Sequence, residues 1–167
     1  MAGTTVADAE AQLREVLEGY AQRGVFTALS RGETRRGRAS FSLVWHHGRR
    51  FRIVLDPLRN VVSFPALLPG VPGRSPMARE LRAFLRAFET DELPPHRRVS
   101  AAKARLRVAV RSGVVSLAVT SLDGDLEYAT RRLVHIAHEV FMVFLPDGPY
   151  DTYRVEHLGL DPDLAWG

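Results

Sequence analysis

The chain has 167 residues, 46% hydrophobic and 25% charged, with 13 Gly, 10 Pro and no Cys, the proportions of an ordinary globular domain. That length buries enough surface for a core without a metal or disulfide staple, and the lack of Cys excludes disulfides, thiolate catalysis, Cys-ligated zinc and iron–sulfur clusters. Net charge is +4 and the pI about 10.1, with Arg supplying every basic side chain except Lys103. The N-terminus, MAGTTVADAEAQ, has no basic region leading into an apolar one, and no later run approaches the ~18 apolar residues of a membrane span. The expected location is therefore the cytoplasm, without a membrane partner. One α+β domain over 1–167 is expected, with residues 1–4 flexible, a loop at 65–75 and a C-terminal tail at 146–167.

From Thr5 to about Arg23, apolar residues at Val6, Ala9, Leu13, Val16, Leu17 and Tyr20 fall on one helical face. Thr5 and Asp8 have the spacing of a capping box, and Gly24 is a suitable stop. The basic segment from Ser30 to Arg38 reads as a loop. Period two then sets in: Ala39, Phe41, Leu43 and Trp45 form one face of a strand, and Phe51, Ile53 and Leu55 one face of the next. Their apolar faces coincide with Trp45 opposite Phe51, across a three-residue loop around Gly48. Val61 to Phe64 makes a third strand, ended by the Pro/Gly-rich run Pro65 to Gly73.

Ser75-Pro76 starts a helix whose apolar positions are Met77, Leu81, Phe84, Leu85 and Phe88, and Leu93-Pro94-Pro95 ends the segment. Beyond it, a two-residue turn at Ser112-Gly113 pairs Val110 with Val115, Val108 with Leu117 and Leu106 with Val119, all apolar together. Asp123, Asp125 and Glu127 alternate like part of a calcium loop, but the remaining ligands are missing, so Asp125 reads as the cap of a helix running to Leu145 before Pro146. A short helix from Asp151 to Leu158, stopped by Gly159, follows.

Consecutive strands joined by short turns give an antiparallel five-strand sheet in an α+β sandwich, in the order helix-strand-strand-strand-helix-strand-strand-helix, with the helices packed on one face. This order, with its central helix Met77 to Glu89 between two meander units, resembles the type III secretion chaperone-like fold, shared by the YbjN-like bacterial regulators, over Thr5 to Leu145. The resemblance implies a non-enzymatic, commonly dimeric protein that binds other polypeptides without a cofactor. Secretion chaperones are typically acidic, so the basic chain fits a YbjN-like accessory or regulatory protein better.

No GxSxG, P-loop or GxGxxG motif accompanies a strand, which leaves nucleophilic and nucleotide-dependent catalysis without their usual parts. His135 and His138 share a helix face, and His157 or Asp151 could complete a metal site. The spacing is not HExxH, so structural histidines are the preferred reading. The basic surface is more informative. Arg105, Arg107 and Arg111 share one face of the second hairpin, Arg50 and Arg52 the solvent face of the first, with Arg35, Arg36, Arg38, Arg97 and Arg98 as candidates for the rim. Such a face suits an acidic protein segment or, as the second choice, nucleic-acid phosphates. Phe41, Trp45 and Phe51 fall on the opposite face, so bases would lack stacking partners. A protein partner is thus favoured, together with a homodimer suggested by sheet edges and the broad apolar arc of the last long helix.

Overall fold

A computed structural model describes residues 5–161 and 163. Residues 1–4, for which flexibility was expected, and the end of the tail lie outside the described residues. Helix α1 (Val6–Gln22) begins as the sequence predicts, with the Thr5 hydroxyl accepting from the Asp8 N–H and the Asp8 carboxylate from the Thr5 N–H. It closes in a Schellman motif: Gly24 takes φ 77°, and the N–H groups of Val25 and Gly24 bond to the carbonyls of Tyr20 and Ala21.

Six strands, not five, form the sheet, in the order β1-β2-β3-β4-β6-β5 with every pair antiparallel. The added strand is β1 (Thr27–Arg31), which overlaps the stretch read as a loop. It is an exposed edge with a register shift between Thr27 and Ser30 and a positive φ at Ala28, so it carries no period-two apolar pattern. Between it and β2 (Ala39–Trp45), Arg35 and Arg38 exchange both backbone hydrogen bonds around Arg36 (φ 52°) and Gly37 (φ 74°), a two-residue turn of the I′ kind.

Strand β3 (Arg49–Asp56) pairs with β2 two residues from the expected register. Leu43 lies opposite Phe51, Phe41 opposite Ile53 and Ala39 opposite Leu55. Both His47 and Gly48 adopt left-handed φ, and the three-residue turn, centred one residue earlier at His47, places Trp45 opposite Arg49. A slip of two preserves the faces, so the apolar side remains apolar. Strand β4 (Val61–Leu68) runs past the expected end at Phe64, absorbing Pro65 at an irregularity between Phe64 and Leu68. Strands β5 (Ala104–Arg111) and β6 (Val114–Ser121) form the predicted hairpin, with all three apolar pairs in register and positive φ at Ser112 and Gly113.

Helix α2 (Pro76–Arg86) is capped by Ser75 with Pro76 in its first turn. Helix α3 (Leu126–Glu139), capped by Asp125, continues through a π turn (Val140–Phe144) and a last turn (Leu145–Asp147) that includes Pro146. The helix therefore does not stop before Pro146. The proline ring crowds the carbonyl four residues back, and the helix widens ahead of it instead of ending. The C-terminal helix Asp151–Leu158 ends at Gly159 (φ 68°) as expected.

Core side chains of β2, β3, β4 and β6, including Phe41, Leu43, Ile53, Phe64 and Leu117, pack with Leu13 and Leu17 of α1, Leu81 of α2 and Leu133 and Ile136 of α3. The apolar arc of α3, which suggested a second copy, is spent within the chain: Leu126, Leu133, Ile136, Val140 and Phe141 are all buried. Among the described residues no helix covers the opposite face of the sheet, and open grooves run over it.

Candidate functional site: the open arginine face

The strand registers order this open face into rows. Ser40, Val54, Ser63, Ala118 and Arg107 form one row across β2, β3, β4, β6 and β5. Asp56, Val61, Thr120 and Arg105 form the row beside it, and Ser42 with Arg52 begins the row on the other side. The floor is made of small side chains, because β2, β4 and β6 send Ser, Ala, Thr or Val outward at alternate positions where their core face sends large ones, while β3 and β5 send mostly arginines. Two grooves result. One, of about 810 Å³, is bounded by Gly32, Glu33, Arg35, Arg36 and Arg38 and floored by Ser40, Ser42, Val54 and Ser63, with Arg52 beside them. The second, of about 470 Å³, runs from Arg38, Asp56 and Arg59 to Arg107 and Arg111 over Val61, Ser116, Ala118 and Thr120. They share Arg38, Val54, Ser63 and Pro65, so together they form a continuous trough.

All five arginines singled out from the sequence fall on this face, but not as one cluster. Arg52 lines the first groove and Arg107 and Arg111 the second, whereas Arg50 and Arg105 line neither. Strands β3 and β5 are separated by β4 and β6, which at ~4.8 Å per strand puts them roughly 14 Å apart. The expected rim divides as well. Arg35, Arg36 and Arg38 border the trough, while Arg97 pairs with Glu139 (3.3 Å) and Arg98 with Asp91 (2.6 Å) away from it. Within the trough Arg38 meets Asp56 at 3.4 Å and Arg35 meets Glu33 at 3.6 Å. The arginine of each pair is more than half exposed, although Asp56 is largely buried, so each pair is worth about 0–1 kcal/mol, too little to commit either guanidinium. Among the described residues, Arg36, Arg52, Arg59, Arg107 and Arg111 make no ion pair, and no aromatic ring lines either groove.

The histidines are arranged differently from the sequence expectation. Nδ1 of His138 lies 3.4 Å from Nε2 of His46, a residue the motif reading passed over. The His46 ring stacks on Phe141 at 4.4 Å, and His138 lies flat over Trp45 at 6.0 Å. His135 sits 3.5 Å from Glu139 instead. Burial, reinforced by the neighbouring His138 and His47, pulls the His46 pKa down to about 3, so its ring is neutral at ordinary pH. His157 stacks on Tyr153 at 4.9 Å beside Gly70 and does not complete a site with the other two. Among the described residues no group of three His, Asp or Glu side chains is placed to hold a metal ion. The carboxylates that alternate like a calcium loop serve structure: Asp125 caps α3, and Lys103 bridges Asp123 (2.8 Å) and Asp125 (3.1 Å).

Compared with known proteins, the chain matches no family model, no curated protein and no solved structure. Sequence reasoning missed Arg59 and the floor residues Ser42, Ser63, Ser116 and Ala118. Their signal was present in the same alternation that marked the core, read on its opposite parity, but joining them needed the contact between β4 and β6.

Proposed function

We propose that this chain is a non-enzymatic binding module that holds an acidic segment of another polypeptide on the open face of its sheet. The observation that carries this reading is the set of unpaired arginines on both sides of a trough floored by small side chains. Guanidinium forks on opposite rims suit carboxylates spaced along an extended chain, and the small floor lets that chain lie close to the sheet. The YbjN-like and secretion-chaperone-like resemblance belongs to this proposal, with β1 as an edge strand that the resemblance did not include, and on that basis the role is accessory or regulatory. Nucleic acid is the second reading. It shares the electrostatics, yet a trough without aromatic rings offers bases nothing to stack on, a contribution of about 1–3 kcal/mol per base.

The test compares a labelled Glu-rich peptide with a single-stranded oligonucleotide by fluorescence anisotropy, on the wild type and on Arg107→Gln/Arg111→Gln. Both arginines are exposed, so folding should be little affected, within about 0.5 kcal/mol per site. The peptide is expected to bind the wild type and to weaken by about tenfold or more in the variant, since charge-assisted hydrogen bonds are worth about 1.5–3 kcal/mol each. Undiminished peptide binding in the variant, or binding of the oligonucleotide alone, overturns the reading.

A further inference from the structure

The first groove is more cationic than carboxylates require. Arg35, Arg36 and Arg38 come from four consecutive residues, and Arg52 reaches the same space from β3, against the single carboxylate of Glu33 on that rim. Arg35 and Arg38 are held opposite each other by reciprocal backbone hydrogen bonds of 3.0 and 2.9 Å. Like charges directly opposite are destabilising, and a two-residue turn cannot slip to separate them. Glu33 and Asp56 neutralise these two only from the far end of exposed contacts. Arg36 and Arg52 remain without a counterion among the described residues. The second groove holds as many arginines, Arg38, Arg59, Arg107 and Arg111, against Asp56, but they stand toward its two ends over a floor of Ala, Ser, Thr and Val, where separate carboxylates can meet them.

We infer that the bowl formed by Arg35, Arg36, Arg38 and Arg52 over Ser40 and Ser42 is a phosphate monoester site, filled by a phosphorylated side chain of the acidic segment, an inference that rests on the binding role proposed above. A phosphate monoester carries about −1.5 to −2 charges and three acceptor oxygens, so it can bridge the opposed pair and still accept from Arg52. A carboxylate, with one charge and two oxygens, leaves one of Arg36 and Arg52 uncompensated. The bowl opens into the second groove through Arg38, Val54, Ser63 and Pro65, so it is the end of a track for a chain and not a closed cavity for a small molecule. An extended chain rises ~3.3 Å per residue, and the roughly 14–19 Å from the bowl, over β2 and beside Arg52 of β3, to β5 spans about four to six residues. The segment therefore carries its phosphate about four to six positions from the carboxylates that meet Arg107 and Arg111.

Three otherwise identical peptides test this, with phosphoserine, Ser or Glu placed four residues from a Glu pair, titrated calorimetrically into the wild type, Arg36→Gln/Arg52→Gln and Arg52→Lys. In the wild type, phosphoserine should bind at least tenfold tighter than Glu, and Ser weakest. The double variant should lose the phosphoserine advantage and leave the three peptides within a few fold of one another, because the contacts at Arg107 and Arg111 that all three share are untouched. Arg52→Lys keeps the charge without the fork and should give an intermediate advantage, which covers the case in which the double variant fails to fold. Equal binding of phosphoserine and Glu peptides, or an advantage that survives the loss of Arg36 and Arg52, overturns the phosphate site alone. If none of the three peptides binds the wild type, the acidic-segment reading fails and the phosphate site with it. An oligonucleotide that displaces the phosphoserine peptide at lower concentration than the Glu peptide does assigns the trough to nucleic acid and overturns both.

Discussion

His46 sits at the end of β2 with Trp45, Phe141 and His138 against its ring, and every ionisable group acting on it opposes a positive charge there: His138 and His47 are themselves basic. Burial is the larger influence, and the result is a pKa of about 3 against an ordinary value near 6.5. The unfolded chain then binds more protons than the folded one between those two values. Stability is fully present above about pH 6.5 and is lost as the pH falls through this window. His47 and His135 are shifted in the same direction by burial and add to the slope. The melting temperature should therefore fall steadily between pH 6.5 and 4.5, a range above the main titration of the carboxylates. His46→Gln, which cannot be protonated, should flatten that fall without abolishing it. A variant whose melting temperature follows the wild type point for point over this range would falsify the assignment to His46.

Leu117 and Ser116 are neighbours on β6 that point to opposite faces, Leu117 wholly buried against the helices and Ser116 on the open trough. Leu117→Asp places an unpaired carboxylate in the core and should cost more than about 4 kcal/mol or abolish folding, whereas Ser116→Asp should stay within about 0.5 kcal/mol. Chemical denaturation of the two variants checks this, and similar midpoints would contradict the face assignment. The same hairpin shows what the sequence makes legible. Its three apolar pairs become concurrent in only one register, so turn chemistry and side-chain parity agree, and the structure has that register. The β2–β3 register was two residues off because a slip of two leaves parity intact, and only the left-handed φ of His47 and Gly48 decides between the choices. Strand β1 was illegible because an exposed, bulged edge buries almost nothing and leaves no periodic trace. The candidate site was half legible for a related reason. Parity places Arg50, Arg52, Arg105, Arg107 and Arg111 on one face, but whether they share a groove depends on strand order, which local pattern does not encode. The contact of His138 with His46, on an element far away in sequence, was hidden in the same way.

Most ion pairs lie on and around the helices: Arg14 and Arg31 with Glu10, Arg97 with Glu139, Lys103 with Asp123 and Asp125, Arg131 with Glu127, Arg154 with Asp151, although Arg79, Arg82 and Arg86 of α2 and Arg132 of α3 make none among the described residues. The open face gathers Arg35, Arg36, Arg38, Arg52, Arg59, Arg107 and Arg111 around two carboxylates, Glu33 and Asp56. Such a face repels itself in the free protein, and an anionic partner relieves that repulsion on binding. Spacings of roughly 5–14 Å across neighbouring strands are shorter than the Debye length of ~30 Å at 0.01 M salt and comparable with the ~10 Å at 0.1 M. Raising NaCl across this range should therefore stabilise the free protein, and a gain of about 1 kcal/mol would raise the melting temperature by about 2–4 °C in a chain of this size. Salt also weakens the ion pairs of the helical side, which acts in the opposite direction. The comparison that isolates the face is Arg52→Gln/Arg107→Gln, which leaves every one of those pairs in place, so any change in salt response between variant and wild type comes from the trough. The variant should show a smaller rise with NaCl than the wild type, and at 0.01 M it should melt no lower. Parallel salt curves for the two proteins would mean that the arginines are too well solvated to sense one another, and the electrostatic ground for capturing an anion on this face would be gone.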